Sequence, residues 1–590
     1  MSFHIIKELN PEQIKAIEAV FGPSIILAGA GSGKTRVLVS KVIYLILYHR
    51  VNPQSIVMIT FTNKAAYEMK ERIYKTTKEK LGYVGTFHSF CARLLRREAH
   101  HLGLSNDFVI YDEDDQLSLI KKIIKESNFR KKISPSYLLN RISSAKNQAI
   151  EPESYVKVFN DFLAEEVSQA FENYQKILRK NQALDFDDLL LETVNLFKKN
   201  KKVLDKYQNK YRFFLVDEFQ DVNYIQYQLV NILSKKEKNI TVVGDFSQSI
   251  YSWRGAEIAN LNRFKEDFPS ANTFYLERNY RSTQPILDFA YQVISKNQTH
   301  PILNLYTERN NGNAVNFYEA ENEEDEAFYI ADQLEFLRKK YPQQKMAVLY
   351  RTNAQSRVIE EVFLHRGLPY ILIGGTRFYE RKEIKDVLSF LRLVVNSGDF
   401  ISLERIKKLG KKRWQKFMKV LKNKREELLK LSTNELIEKI FEISDYLSLY
   451  HPDDEEDYSR LENIRELKSV AANYHDPVRF LEQVALVESE YFEDEKKKQG
   501  DGENRIRLMT IHQAKGLEFD VVFITGLEEG ILPHSKSLDD TYALEEERRL
   551  FYVAITRAKE LLYVTYAKQR FIFGNNNRTM MSRFLENIDR

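Results

Sequence analysis

The sequence predicts an α/β protein built from two parallel-sheet cores, each interrupted by a helical insertion. Three observations carry this expectation. The chain has 590 residues, more than a single hydrophobic core sustains. Short apolar runs alternate with helical patterns in two separate stretches, the layout of strands joined by crossover helices. Long segments of helical period, poor in strand-like runs, break into both stretches.

Taken in order, residues 1–97 contain the strand-like runs "SIILA" and "SIVMIT" between helical patterns. Residues 98–184 are mostly of helical period and form the first insertion. The first core resumes over 185–275 with "FFLVD" and "NITVVGD". The second core takes 276–380, with "AVNFYEA" and "KMAVLY", and 505–590, with "RLMTI", "DVVFITG" and "LLYVTYA". Residues 381–504 between them are helical and highly charged, and close on "EDEKKKQGDGENR", a linker composition.

The composition narrows the function classes. With 43% hydrophobic and 29% charged residues, the chain is of ordinary globular type. The longest apolar candidate for a membrane span, "VLVSKVIYLILY", is broken by Ser40 and Lys41. The start "MSFHIIKELNPEQ" has no basic-then-apolar leader pattern, so a cytoplasmic protein is expected. One cysteine, Cys91, excludes an internal disulfide and any cysteine-based cluster. The 89 basic and 84 acidic residues nearly cancel. A bound nucleic acid would therefore need a local channel, not a globally basic surface.

After the run "SIILA" comes "GAGSGKTRVLVSKVIYLI", a glycine-rich turn opening onto a helix. Strand, turn and helix are the context of a P-loop. Gly29, Gly31 and Gly33 let backbone N–H groups point at phosphate oxygens, and the helix N-terminus adds its positive dipole end. Lys34 would reach the β- and γ-phosphates and Thr35 would ligate Mg²⁺. Ala28 stands where the usual pattern has its first glycine. The candidate nucleotide site is thus Ala28, Gly29, Ala30, Gly31, Ser32, Gly33, Lys34, Thr35 and Arg36. A second apolar run, Phe213 to Val216, ends in Asp217 and Glu218. There Asp217 would hold the metal, since hard cations want oxygen ligands, and Glu218 would take a proton from an attacking water.

These stretches stand in a longer series: "LNPEQIKAI", "AGAGSGKT", "ITFTNKAAYEMKERI", "GTFHSFCARLLRR", "LDFDDLL", "LVDEFQDVN", "VVGDFSQSIYSWRGA", "LERNYRST", "LYRTNAQSRVIEEVF", "MTIHQAKGLEFDVVFITG" and "EEERRLFYVAITRAKE". In content and order the series resembles the UvrD/Rep/PcrA-type DNA helicases of superfamily 1, and the Ala28 variant is also that family's form. The resemblance implies two RecA-like P-loop cores, ATP and Mg²⁺ as cofactors, and movement 3′-to-5′ along single-stranded DNA. It implies that Gln13 reads adenine, that Tyr280 stacks on it and that Glu518 holds the ribose. Gln248 would sense the γ-phosphate, and Arg281 and Arg557, both drawn from the second core, would clamp it. For DNA, Phe61, Tyr251 and Trp253 match stacking positions, and Thr86, His88, Arg254, Arg351, Asn353 and His512 match backbone contacts. Two alternatives stay open at this level: Phe61 as the end of a buried strand, and His88 and His512 as satisfied interior histidines.

Two departures from the family pattern are visible. The 381–504 insertion is short, and "ISLERIKKLGKKRWQKF" resembles the duplex-gripping hairpin only loosely, without its Gly-Ile-Gly turn. Lys407, Lys408, Lys411, Lys412 and Arg413 there are either duplex-phosphate contacts or a solvated basic face. The chain also ends soon after "RFLENI". The expected partners are single-stranded DNA and single-strand/duplex junctions, with no membrane. The expected assembly is a monomer or weak dimer associated with the nucleoid. The alternatives carried are a translocase that strips proteins from single strands and the motor half of a helicase–nuclease. A non-catalytic DNA-binding relic is disfavoured by the intact ATP-site residues.

Overall fold

The computed structural model describes residues 9–127, 129, 133–159, 162–309, 312–497, 505–572 and 575–588. It divides into two units. The first runs to Arg281 and includes Ile294–Glu308; the second holds Ser282–Val293 and the chain from Arg309. Each contains one six-stranded sheet.

In the first unit β1 (Ser24–Ala28), β2 (Ile56–Ile59) and β3 (Tyr83–Gly85) precede the insertion, which among the described residues contributes the short pair β4 (Val109–Ile110) and β5 (Ala183–Leu184). The strands β6 (Phe213–Val216), β7 (Ile240–Gly244) and β8 (Asn272–Leu276) follow. The order is β3-β2-β6-β7-β1-β8, with every pairing parallel. β1, β2, β6 and β7 are buried along their whole length. That burial explains their unbroken apolar runs, because helices cover both faces of a parallel sheet. One face packs with Ile25, Val57, Phe87, Phe90 and Leu94, the other with Ile26, Val37, Val42, Met58 and Val243.

The helix Pro11–Glu18 begins with Pro11 behind an Asn10 capping box closed by Gln13. Its C-terminal carbonyls are gripped by the buried Lys41, whose Nζ donates to Ala16 O and Ala19 O at 2.9 and 2.7 Å. Burial pushes that ammonium down to about 7.

The first insertion has its own core of Ile120, Leu138, Ile142, Tyr155, Val167 and Phe171. Its root is polar. The fully buried Lys146 Nζ lies 2.6 Å from Asp185 and 2.8 Å from Asp188, and Tyr174 Oη donates to Asp185.

The second unit has β9 (Asn316–Ala320), β10 (Met346–Tyr350), β11 (Tyr370–Leu372), β12 (Ile506–Thr510), β13 (Phe519–Ile524) and β14 (Ala558–Ala567). Their order is β11-β12-β10-β13-β14-β9, again all parallel. Among the described residues, six α-helices from Lys382–Val395 to Pro477–Lys497 lie between β11 and β12. They enclose a core with Phe390, Phe417, Leu436, Ile440 and Leu467. Polar contacts fasten them to the sheet domain: Arg357 pairs with Glu466 at 2.7 Å, Arg381 Nη1 donates to Asn463 Oδ1 at 2.8 Å, and His534 Nε2 lies 3.2 Å from Glu462.

The boundary between units differs from the expected 275/276. Residues 277–281 continue from β8 across the glycine turn, with Tyr280 N donating to Gly31 O and Asn279 Nδ2 to Ala30 O. Residues 305 and 306 return to the same place: Tyr306 exchanges backbone bonds with Glu277 and Asn279, and Leu305 covers Gly29. β8 neighbours β1, so whatever follows β8 is delivered onto the loop that follows β1.

Among the described residues no helix is long and apolar enough to cross a membrane. Cys91 is fully buried, and burial pushes its thiol up to about 12. The thiolate is the reactive form. In native protein Cys91 is therefore expected to resist a thiol reagent, and to react at the full rate of a free thiol once denaturant is added. Stoichiometric labelling of native protein at neutral pH would contradict this packing.

Candidate nucleotide and DNA sites

The candidate residues of the first unit gather at the carboxyl edge of its sheet, where ligands of open parallel sheets sit. β1 ends at the glycine turn, β6 at Asp217, β7 at Asp245, β2 next to Phe61 and β3 next to Thr86.

The turn is shaped to leave room for phosphate. Gly31 has φ +65°, and a Cβ there would lie 2.8 Å from both Arg281 Cβ and Asn279 Nδ2, so a side chain would displace the strap over the loop. Ser32 Oγ donates to Gly29 O and closes the turn on itself. The helix Lys34–Leu47 then starts behind Gly33 with its first N–H groups free of a side-chain cap, which leaves them to a ligand anion. Arg36 is exposed in that first turn. Gln13, beneath, donates from Nε2 to Ser32 O at 2.9 Å and accepts from Asn10 N at 3.1 Å. One amide hydrogen and one lone pair of Gln13 therefore remain for a base edge. Tyr280 is 42% exposed, and its hydroxyl accepts from Asn10 Nδ2.

The acids face this turn. Lys34 Nζ lies 3.8 Å from Glu218. Asp217 is buried, bonds the Thr35 hydroxyl, and is pushed up to about 7, first by burial and then by the charge of Glu218. Its Oδ1 is buried with no hydrogen-bond partner. An orphaned carboxylate oxygen beside a hydroxyl fits a hard cation that leans on phosphate oxygens and water for its remaining ligands. Among the described residues no group of three or more His, Cys, Asp or Glu could hold a metal unaided. Glu218 itself has φ 51°, a left-handed conformation costing a non-glycine residue about 1–2 kcal/mol. Strain of this kind gathers where a side chain must be aimed.

A relay missed at the level of sequence joins the acids to Gln248. Gln220 Nε2 donates to Glu218 Oε2 at 2.7 Å, and Gln220 Oε1 accepts from Asp245 N at 3.0 Å. Gln248 Nε2 then donates to Asp245 Oδ2 at 2.6 Å. A Cβ at Gly244 would stand 2.7 Å from Gln220 Oε1 and displace that amide from the relay. Gln220 lies two positions after Glu218 in "LVDEFQDVN" and Asp245 three before Gln248 in "VVGDFSQ", and a polar residue that near each catalytic candidate was the available signal.

Farther along the same edge the aromatic candidates form an array. Phe61 and Tyr251 stack with centroids 6.2 Å apart and planes 4° apart, and Trp253 meets Tyr251 edge-on at 6.3 Å. Phe61 follows β2 and is half-buried, and Trp253 is 51% exposed. The side chain of Arg254 lies outside the described residues. Thr86 caps the helix Phe87–Glu98 by accepting from Ser89 N. His88 is half-buried, and burial lowers its pKa against the opposing pull of Asp187. Its ring meets that of Phe186 edge-on at 6.0 Å. Phe186, 50% exposed in "LDFDDLL", is a further aromatic on this face. An exposed phenylalanine between acids was the signal for it.

In the second unit the candidates separate to opposite edges of the sheet. Arg351 and Asn353 follow β10, and His512 follows β12, at the carboxyl edge. Asn353 and His512 are half-buried. Arg351 is held by a forked pair with Glu547, Nε and Nη2 within 3.1 Å of the carboxylate, so a phosphate contact there would compete with that acid. Glu518 and Arg557 lie at the amino edge, immediately before β13 and β14. They are 39 residues apart in sequence, yet Arg557 Nη1 donates to Leu517 O, and Phe519 N donates to Arg557 O. Arg557 is buried, with Nε donating to Val553 O. Glu518 is exposed and paired with Lys559 at 2.7 Å. Arg281 was expected from the second core. The structure groups it with the first unit, its N–H donating to Asn279 Oδ1 beside Gly31.

The glycine turn, its lysine and helix, and the two acids on the sheet's carboxyl edge define a P-loop nucleoside triphosphatase. Comparison with known families narrows this. The UvrD/REP helicase N-terminal domain matches residues 9–269, and the UvrD-like helicase C-terminal domain matches 274–441 and 407–569. The ATP-dependent DNA helicase PcrA of Staphylococcus aureus (strain Mu50) is 41% identical over 638 aligned residues, covering 99% of this chain and 86% of that protein. That of Staphylococcus epidermidis (strain RP62A) is 42% identical over 642 residues, covering 99% and 87%. The chain belongs to the UvrD/Rep helicase family.

Proposed function

We propose that this chain is an ATP-driven helicase that moves 3′-to-5′ along one DNA strand and separates duplexes ahead of it. The observation that carries the proposal is the hydrogen-bonded line Glu218–Gln220–Asp245–Gln248. It ties the hydrolytic acid to the segment that leads, three residues on, to Tyr251 and the aromatic array.

In the proposed cycle the glycine turn and Lys34 hold the β- and γ-phosphates. Glu218 accepts a proton from the water that attacks the γ-phosphorus, and ADP leaves as phosphate forms. Thr35 and Asp217 would hold Mg²⁺, which neutralises charge on the phosphates. Gln248 meets the γ-phosphate, and loss of that contact after hydrolysis reaches the array through the short segment Ser249–Tyr251. Arg281 and Arg557 complete the charge on the γ-phosphate, while Gln13, Tyr280 and Glu518 orient the nucleoside. Stacking on Phe61, Tyr251 and Trp253 tolerates any base, because every base has a π-face. Thr86, His88, Arg351, Asn353 and His512 would contact the DNA backbone. The exposed Lys408, Lys411 and Lys412 are available to duplex phosphates, while Lys407, also exposed, is paired with Glu404 at 2.6 Å. Arg413 is committed to its own fold, bonding Leu409 O, Asp445 O and Ser448 Oγ. We place the protein in the cytoplasm, at single-strand/duplex junctions, as a monomer or weak dimer.

ATP turnover with and without a single-stranded oligonucleotide tests the proposal: turnover is expected to rise on addition of DNA, and equal rates would overturn it. The array carries its own expectation. Trp253→Ala should weaken single-strand binding by about 1–3 kcal/mol, and by similar amounts for oligonucleotides of different sequence. Fluorescence anisotropy reads this directly. An unchanged Kd, or a loss confined to one sequence, would remove Trp253 from the DNA face.

A further inference from the structure

Asn147 of the first insertion hydrogen-bonds both the hydrolytic loop, at Asn223, and the DNA face, at Asp187. Asn147 closes the helix Pro135–Asn147 of the insertion and is half-buried. Its Nδ2 donates to Asp187 Oδ1 at 3.1 Å and to Ser143 O at 3.0 Å. Its Oδ1 accepts from Asn223 Nδ2 at 2.7 Å.

Each partner leads elsewhere. Asp187 follows Phe186, whose exposed ring meets His88. Asn223 ends the stretch that begins with Asp217 and caps the helix Tyr224–Ser234 by accepting from Gln226 N. Asn223 also pairs with Ala256, and Glu257 N donates to Val222 O, so the tail of the aromatic loop lies on the same stretch. Three residues before Asn223 is Gln220, bonded to Glu218. Asn147 itself stands on a rigid base, because its neighbour Lys146 is locked by Asp185 and Asp188.

A primary amide is suited to this place. It donates to a carboxylate on one side and accepts from an amide on the other, and neither contact survives in an apolar side chain. We propose that Asn147 is a positioning residue through which occupancy of the DNA face by a single strand sets the hydrolytic loop. A base stacked against Phe186 and His88 fixes the first turn of the helix Phe186–Lys199. Asp187 then fixes Asn147, and Asn147 fixes Asn223 and the loop that carries Gln220 and Glu218. The inference rests on the helicase reading above and adds a route for DNA stimulation that runs through the insertion, apart from the Gln248 line.

The test compares wild type, Asn147→Ala, Asp187→Ala, Asp187→Asn and the double Asn147→Ala/Asp187→Ala for ATP turnover without DNA and with saturating oligonucleotide. KM for ATP, Kd for the oligonucleotide and Tm are measured beside it. Asn147→Ala is expected to keep DNA-free turnover, KM and Kd within about twofold and to lose about tenfold of the stimulation by DNA. Asp187→Asn, whose carbonyl still accepts from Asn147, should keep the stimulation. The double variant should be no worse than either alanine variant, since both cut one link. Stimulation unchanged in Asn147→Ala, or reduced only in step with oligonucleotide affinity, would overturn the proposal. If Asn147→Ala fails to fold, the contrast between Asp187→Ala and Asp187→Asn decides in the same terms. A wild type that DNA does not stimulate would defeat the helicase reading instead.

Discussion

Glu218→Gln is expected to bind ATP and single-stranded DNA as wild type does and to hydrolyse ATP about 10²–10⁴-fold more slowly. Glutamine keeps the shape of the side chain and an oxygen able to accept from Gln220, so the relay to Asp245 and Gln248 stays connected. What is lost is the carboxylate proposed to accept the proton of the attacking water. The substitution also removes the negative partner of Lys34, 3.8 Å away, and so leaves the lysine freer for phosphate. Nucleotide affinity should hold or rise while kcat collapses. That split separates a general base from a structural ion pair, whose loss would lower Tm and affinity together. A Glu218→Gln protein with kcat within about threefold of wild type would remove Glu218 from the chemistry.

The second large effect is expected at Arg557. A guanidinium supplied to the γ-phosphate is worth about 10³–10⁵ in kcat, and Arg557→Ala should lose an amount in that range. The same side chain ties its own turn together through Val553 O, Leu517 O and Thr556 Oγ1. Alanine would take the guanidinium donor from Leu517 O and Val553 O, at roughly 1–3 kcal/mol of stability, so Tm must be read beside kcat. Arg557→Lys is the sharper variant, because it keeps the charge and loses the fork. A fall in kcat of about 10²-fold or more in Arg557→Lys, with Tm nearly kept, assigns the guanidinium to the γ-phosphate. A fall in Tm alone, with kcat preserved, assigns it to the fold.

Sequence alone made the local chemistry legible. The glycine turn runs unbroken into Lys34 and Thr35, and the two acids directly follow the apolar run of β6, so each pattern is read within a few residues. The alternation of apolar runs gave both sheets because parallel strands buried on two faces have no polar side to interrupt them. What escaped is what depends on distant residues. Gln220 meets Asp245 across 25 positions, and nothing in either motif names the other. Leu517 and Arg557 meet only because β13 and β14 pair in parallel. Arg281 follows β8 onto the glycine turn because β8 is the edge strand beside β1, and that strand order is not written in the chain locally. Arg351 was legible as a basic residue at a strand end, but its acid, Glu547, lies 196 positions on. In the second insertion the departure of "KKLGKKRWQK" from the family pattern was visible. The two matches of the C-terminal family model overlap within it, over residues 407–441.

ATP hydrolysis coupled to travel along a strand is measured most directly by strand displacement. A labelled oligonucleotide annealed so that its partner carries a single-stranded 3′ tail is mixed with the protein and ATP, beside the same duplex with a 5′ tail and beside a Lys34→Ala protein. The account predicts release from the 3′-tailed substrate by wild type, little from the 5′-tailed one, and none by Lys34→Ala. Equal release by wild type and Lys34→Ala, or no release by wild type while DNA still stimulates its ATP turnover, would contradict it.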